Sequence, residues 1–131
     1  MARKITIAAV QLPCFRDPYN PEETNASRRA RNLHVAGQWL DQAGEQGADI
    51  ACLGESLTSE GLELTPANLR DEIEQGVGPV VERFGQVARR HGMYIIAPVW
   101  ALIDGLPRNI ALLIDRAGRY LGGYCKVHCP E

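Results

Sequence analysis

Apolar and polar positions along the chain switch between a strand-like and a helix-like period. Ile5 to Leu12 is almost continuously apolar, and Ile5, Ile7, Ala9 and Val10 suit a strand covered on both faces, which predicts a central strand of a layered α/β protein. Cys14 to Tyr19 reads as a loop. Asn20-Pro21-Glu22-Glu23 offers a helix start, with a side-chain cap, a proline at the first helical position and acids against the dipole; a start near Asn25 fits equally well. Ala26, Ala30, Leu33, Ala36, Leu40 and Ala43 then recur at helical spacing opposite Arg28, Arg29, Arg31 and Asp41, and Gly44 or Gly47 ends the helix.

Ile50 to Leu53 is a second buried-strand pattern, followed at once by Gly54 and Glu55, so the carboxylate falls just past the strand's C-terminal end, where α/β sheets bind ligands. Ser56 to Thr65 is a polar, glycine-containing loop over that edge, and Pro66 to Gln75 has the composition of a short acidic helix. Gly78-Pro79 opens a further helix with Val80, Phe84, Val87 and Ala88 on one face and His91-Gly92 at its close. Met93 to Trp100 is a third buried strand. Ile110 to Ile114, the turn residues Asp115-Arg116-Ala117-Gly118 and the run Tyr120 to Tyr124 form a hairpin that delivers Lys126 at its end, bracketed by Cys125 and His128 and stopped by Pro130. A cation there is placed for a ligand and not for packing. Strand, helix, strand, helix, strand, hairpin is an α/β order, and no repeat, low-complexity tract or linker divides residues 1–131.

Composition narrows the function classes. The 131 residues are 45% apolar, ordinary for a chain with one core, and 14 basic against 16 acidic residues give a net charge of −2 without a block of one sign. That argues against nucleic acid or an anionic membrane as partner. The apolar run Met93 to Ile103 is about half of the ~20 residues a spanning helix needs, and Pro98 interrupts it. Met1-Ala2-Arg3-Lys4 leads into a strand pattern instead of a signal-peptide core, so the expectation is a cytoplasmic protein with its four cysteines reduced.

Two stretches, Gly47 to Glu55 and Asn109 with Tyr124-Cys125-Lys126-Val127-His128, resemble the nitrilase, or carbon–nitrogen hydrolase, superfamily, and the likeness extends back to the opening strand Ile5 to Gln11. The resemblance implies a four-layer α–β–β–α sandwich of which this chain supplies the N-terminal half, with an open sheet face that predicts a partner, a homo-oligomer or poor solubility. It also implies a catalytic triad of glutamate, lysine and cysteine acting on small amide, nitrile or N-carbamoyl substrates. Glu55 matches the general base, a carboxylate whose pKa a closed, partly apolar site raises. Lys126 matches the oxyanion stabiliser. Asn109 matches a recurrent asparagine with a structural part.

The nucleophilic cysteine of the family follows the lysine by a few dozen residues, beyond Glu131, and none of Cys14, Cys52, Cys125 or Cys129 takes its place. Gly54 stands where the family has proline, and Cys125 where it commonly has arginine. No cofactor and no metal are implied. Two other readings stand beside this one. A short or inactive form could serve as a binding or assembly module. Cys125, His128 and Cys129 would be zinc or redox ligands, although structural zinc takes four ligands in paired motifs and no second pair is present. His34 and His91 belong to helices, where capping is the expected duty, Gly76-Val77-Gly78 is a helix entry, and Trp39 and Trp100 are packing residues.

Overall fold

The computed structural model describes residues 4–12 and 23–128. Strand β1 (Ile7–Val10) leads to helix α1 (Asn25–Glu45), strand β2 (Ile50–Leu53), the single turn α2 (Leu69–Glu72) and helix α3 (Gly78–His91); strands β3 (Tyr94–Ile103), β4 (Leu106–Ile114) and β5 (Tyr120–Cys125) follow. The five strands lie side by side in chain order. β1, β2 and β3 are parallel, joined by helical crossovers, and β3, β4 and β5 are antiparallel, joined by turns.

Local chemistry sets the element ends. Thr24 caps α1, its hydroxyl oxygen accepting the Ser27 N–H at 3.2 Å, so of the two possible starts the later one is used; Asn20 to Glu22 and Cys14 to Tyr19 lie outside the described residues. Gly47, at φ 78°, carries the chain out of α1. Pro79 sits in the first turn of α3, and Gly92 closes it in the left-handed conformation. Asp104 and Gly105, both at positive φ, make the tight β3–β4 connection. β3 therefore runs to Ile103, three residues past the expected end.

Both long helices cover one face of the sheet. Val80, Phe84, Val87 and Ala88 of α3 meet Ile95, Ala97, Val99 and Ala101 of β3 and Ile110, Leu112 and Ile114 of β4 in one apolar core. The α1 stripe differs from the alanine periodicity: Arg28, Asn32, Ala36, Leu40 and Ala43 are buried, whereas Ala26 and Ala30 are exposed. A guanidinium and an amide are buried there because loop carbonyls satisfy them: Arg28 donates to Gly61 O at 2.9 Å and Asn32 to Glu60 O at 2.8 Å.

The opposite face carries Ile7, Ile50, Tyr94, Ile96, Leu113 and Tyr124; Arg116 lies over the Tyr94 ring, and no described helix or strand covers the rest. Ile7 is 68% and Tyr124 70% exposed. This corrects the expectation for β1, which is an edge strand open on one face. An apolar run reports that a strand suits burial, not how many layers the chain supplies. Trp39, expected in the packing, lies on the outer face of α1 at 42% exposure. Among the described residues no helix is long and apolar enough to cross a membrane.

Candidate active site

β2 and β5 point the same way across the sheet, since two antiparallel steps separate β5 from β3. Their C-terminal ends consequently share one edge. Glu55 lies two residues past β2 and Lys126 one residue past β5. Lys126 Nζ donates to Glu55 Oε1 at 2.8 Å, joining residues 71 positions apart in sequence. Asn109, near the start of β4 and opposite Trp100 in register, donates from Nδ2 to the same Oε1 at 2.7 Å. Its main-chain oxygen accepts the Lys126 N–H at 2.8 Å. Glu55, Pro98, Asn109, Ala111, Tyr124 and Lys126 line a shallow cavity of about 240 Å³.

The loop after Glu55 is held on both sides. Ser56 adopts φ 59°, a left-handed conformation that a side chain seldom takes and that neighbouring structure must enforce. Leu57 is buried and its N–H reaches Pro98 O at 3.3 Å. That bond falls beyond the end of β2, on the side where Pro98 has no N–H to offer a neighbouring strand. Farther along, the Arg28 and Asn32 bonds tie carbonyls 60 and 61 to α1.

Electrostatically the site departs from the closed pocket the resemblance implied. The side chains of Glu55 and Lys126 are 57% and 37% exposed. The Lys126 hydrogen bond, the Asn109 hydrogen bond and the Lys126 charge together hold the Glu55 carboxyl below the usual glutamate range, against a small opposing effect of desolvation. The expected upward shift needs a cover over the carboxylate, and no described residue provides one.

The other sequence candidates do not join this cluster. Cys125 and His128 are exposed, Cys129 lies outside the described residues, and among the described residues no three His, Cys, Asp or Glu side chains are grouped to hold a metal ion. Cys52 is half-buried and Cys14 is not described. His91 pairs with Asp41 at 2.8 Å and His34 with Arg83 at 3.1 Å, so both histidines link α1 to its surroundings through side chains instead of capping. Asn109, expected to have a structural part, also brings its amide to the Glu55 carboxylate. A buried asparagine amid the apolar alternation of a strand was the available signal, because such a side chain must find a partner.

The chain matches the family model described as carbon–nitrogen hydrolase over residues 6–131. Its fold is similar to several solved structures. The C. elegans NitFhit protein is 20% identical with a TM-score of 0.66, over 96% of this chain and 29% of that one. A carbon–nitrogen hydrolase from Helicobacter pylori G27 is 18% identical at 0.69, over 97% and 41%. An amidase from Nesterenkonia sp. is 20% identical at 0.62, over 79% and 39%. The chain thus spans less than half the length of these relatives. No curated protein sequence matches it.

Proposed function

The chain belongs to the carbon–nitrogen hydrolase family, and from that premise we propose that it supplies the base and the oxyanion cation of a hydrolase cleaving non-peptide C–N bonds in small amides, nitriles or N-carbamoyl compounds. The observation that carries this reading is the convergence of Lys126 and Asn109 on one oxygen of Glu55 at the sheet edge. In an amide substrate, a thiol from outside residues 1–131 gives its proton to Glu55 and attacks the carbonyl carbon. The oxygen that gains the electron pair is stabilised by the Lys126 ammonium, an interaction stronger in the transition state than in the ground state. Collapse expels the amine, which takes the proton back from Glu55. Water, deprotonated by the same carboxylate, then attacks the thioester carbon; the C–S bond breaks, the acid leaves, and the thiolate takes the proton from Glu55. The chain's own residues need no cofactor for these steps, and the protein acts in the cytoplasm as a homo-oligomer.

A chimera tests this. Residues 1–131 replace the matching portion of the Nesterenkonia amidase, and ammonia release is followed on amides, nitriles and N-carbamoyl compounds. Turnover is expected, and Glu55→Gln abolishes it while the fold is kept; Lys126→Met lowers it on the order of 10²–10³-fold. A folded chimera that turns over equally well with Glu55→Gln would sink the base assignment. A second reading, favoured by the uncovered apolar sheet face, is that the chain works as a non-catalytic binding or assembly module. A partner bound without any turnover in the chimera would support it.

A further inference from the structure

Glu55 alone is poorly fixed. It projects from a turn, it is more than half exposed, and a free glutamate side chain samples several rotamers at that position. Lys126 is a long side chain just past the last strand. Asn109 has the opposite character: it is 6% exposed, sits in β4 opposite Trp100 of β3, and on its other side its main-chain oxygen holds the Lys126 N–H. It touches both catalytic candidates at once, with its side chain on the Glu55 carboxylate and its main-chain oxygen on the Lys126 N–H.

The two donors make the carboxylate oxygens unequal. Oε1 accepts Nδ2–H of Asn109 at 2.7 Å and Nζ–H of Lys126 at 2.8 Å. Oε2 accepts neither. A proton arriving at Oε1 would place an O–H against two N–H groups, and at least one bond would have to break. Arrival at Oε2 breaks none. We infer that Asn109 is a positioning residue of the site, one that anchors Glu55 through Oε1 and so assigns proton transfer to Oε2. Without its amide, the carboxylate is free to rotate and straddle the Lys126 ammonium with both oxygens, which moves the base and occupies the cation at the same time. The use of that proton rests on the proposed function; the anchoring is a property of these residues alone.

The test begins with the wild-type chain, ¹³C-labelled at glutamate and ¹⁵N-labelled throughout, titrated by NMR. The Asn109 side-chain amide signals are expected to move with the same midpoint as the Glu55 carboxyl carbon, and that midpoint lies below the ordinary glutamate value. Asn109→Leu, nearly isosteric but without the donor, should raise the midpoint; Asn109→Ser does the same if the leucine variant fails to fold. An Asn109 amide that stays flat while Glu55 titrates, or a folded variant whose Glu55 midpoint matches the wild type, overturns the inference. In the chimera, Asn109→Leu should lower kcat on the order of 10²-fold with little change in KM, the usual scale for a misplaced group. The two readings fail separately. An amide that tracks Glu55 in a protein with no turnover refutes the hydrolase and keeps the anchor, and turnover with a flat amide does the reverse.

Discussion

Exchanging Gly85 for alanine sets two effects of known sign against each other. Gly85 lies in the interior of α3, where alanine is ordinarily favoured by about 1 kcal/mol. Its face, however, meets the β4–β5 turn: an added Cβ would lie 2.6 Å from the main-chain oxygen of Gly118. That carbonyl belongs to a turn fixed from within by Asp115, which accepts the N–H groups of Ala117 and Arg119, and from α3 by the bond of Arg89 to Ala117 O. The turn can yield only by moving as a unit, and overpacking of this kind costs about 1–3 kcal/mol, here toward the upper end because the opposing atom is backbone. The net expectation is a loss of about 1–2 kcal/mol, or a fall in Tm of roughly 4–8 °C for a chain of this size. Gly37 in α1 is the control. Its added Cβ would meet Arg83 Nε at 3.5 Å, an ordinary contact, so Gly37→Ala should raise Tm. Thermal unfolding followed by far-ultraviolet circular dichroism reads both variants. If Gly85→Ala raised Tm as Gly37→Ala does, the hairpin that delivers Lys126 would not be seated on α3 as described.

Two further predictions concern ionisation. Burial pushes the Glu74 carboxyl up, with the Arg29 charge opposing, and its Oε1 has no hydrogen-bond partner among the described residues. A carboxyl raised in the folded state binds more protons than in the unfolded chain, so the wild type should lose stability as pH climbs from the ordinary glutamate range through the raised value. Glu74→Gln removes that slope; urea unfolding of both proteins from pH 4 to 8 with parallel curves would contradict it. Lys126 is the larger cause of the depressed Glu55 titration, so Lys126→Met should move the Glu55 midpoint upward by more than Asn109→Leu does. Carboxyl NMR ranks the two shifts, and the opposite ranking would count against the ion pair.

How much of this was legible in the sequence follows from what each signal reports. Glu55 was readable because an apolar run stops abruptly at Gly54, and Lys126 because turn residues 115–118 fix where the last strand begins. Asp104-Gly105 carried an equally plain hairpin signal that the apolar run from Met93 concealed, which is why β3 proved longer than expected. The α1 stripe was misplaced because Ala26 and Ala30 share the helical period with the buried positions, whereas burial of Arg28 and Asn32 depends on carbonyls of a distant loop. The open face left Ile7 exposed for a similar reason: periodicity within a segment says nothing about a layer lying elsewhere. The depressed carboxyl of Glu55 needed distances between three strand ends, and spacing along the chain does not encode those.

The mix of parallel and antiparallel pairing predicts a sequence of events in folding. β3, β4 and β5 are joined by tight turns, and such local pairing forms in microseconds, whereas bringing β2 against β3 closes a connection of some forty residues that includes α3. Asn109 and Lys126 should therefore reach their mutual positions early, with the Asn109 amide still bonded to water, and Glu55 should arrive last to complete the cluster. Pulse-labelled hydrogen exchange would show the Lys126 amide protected before those of β2, and simultaneous protection would argue against this order. The contact between Glu55 and Lys126 then serves as a record that β2 has joined the antiparallel strands β3 to β5.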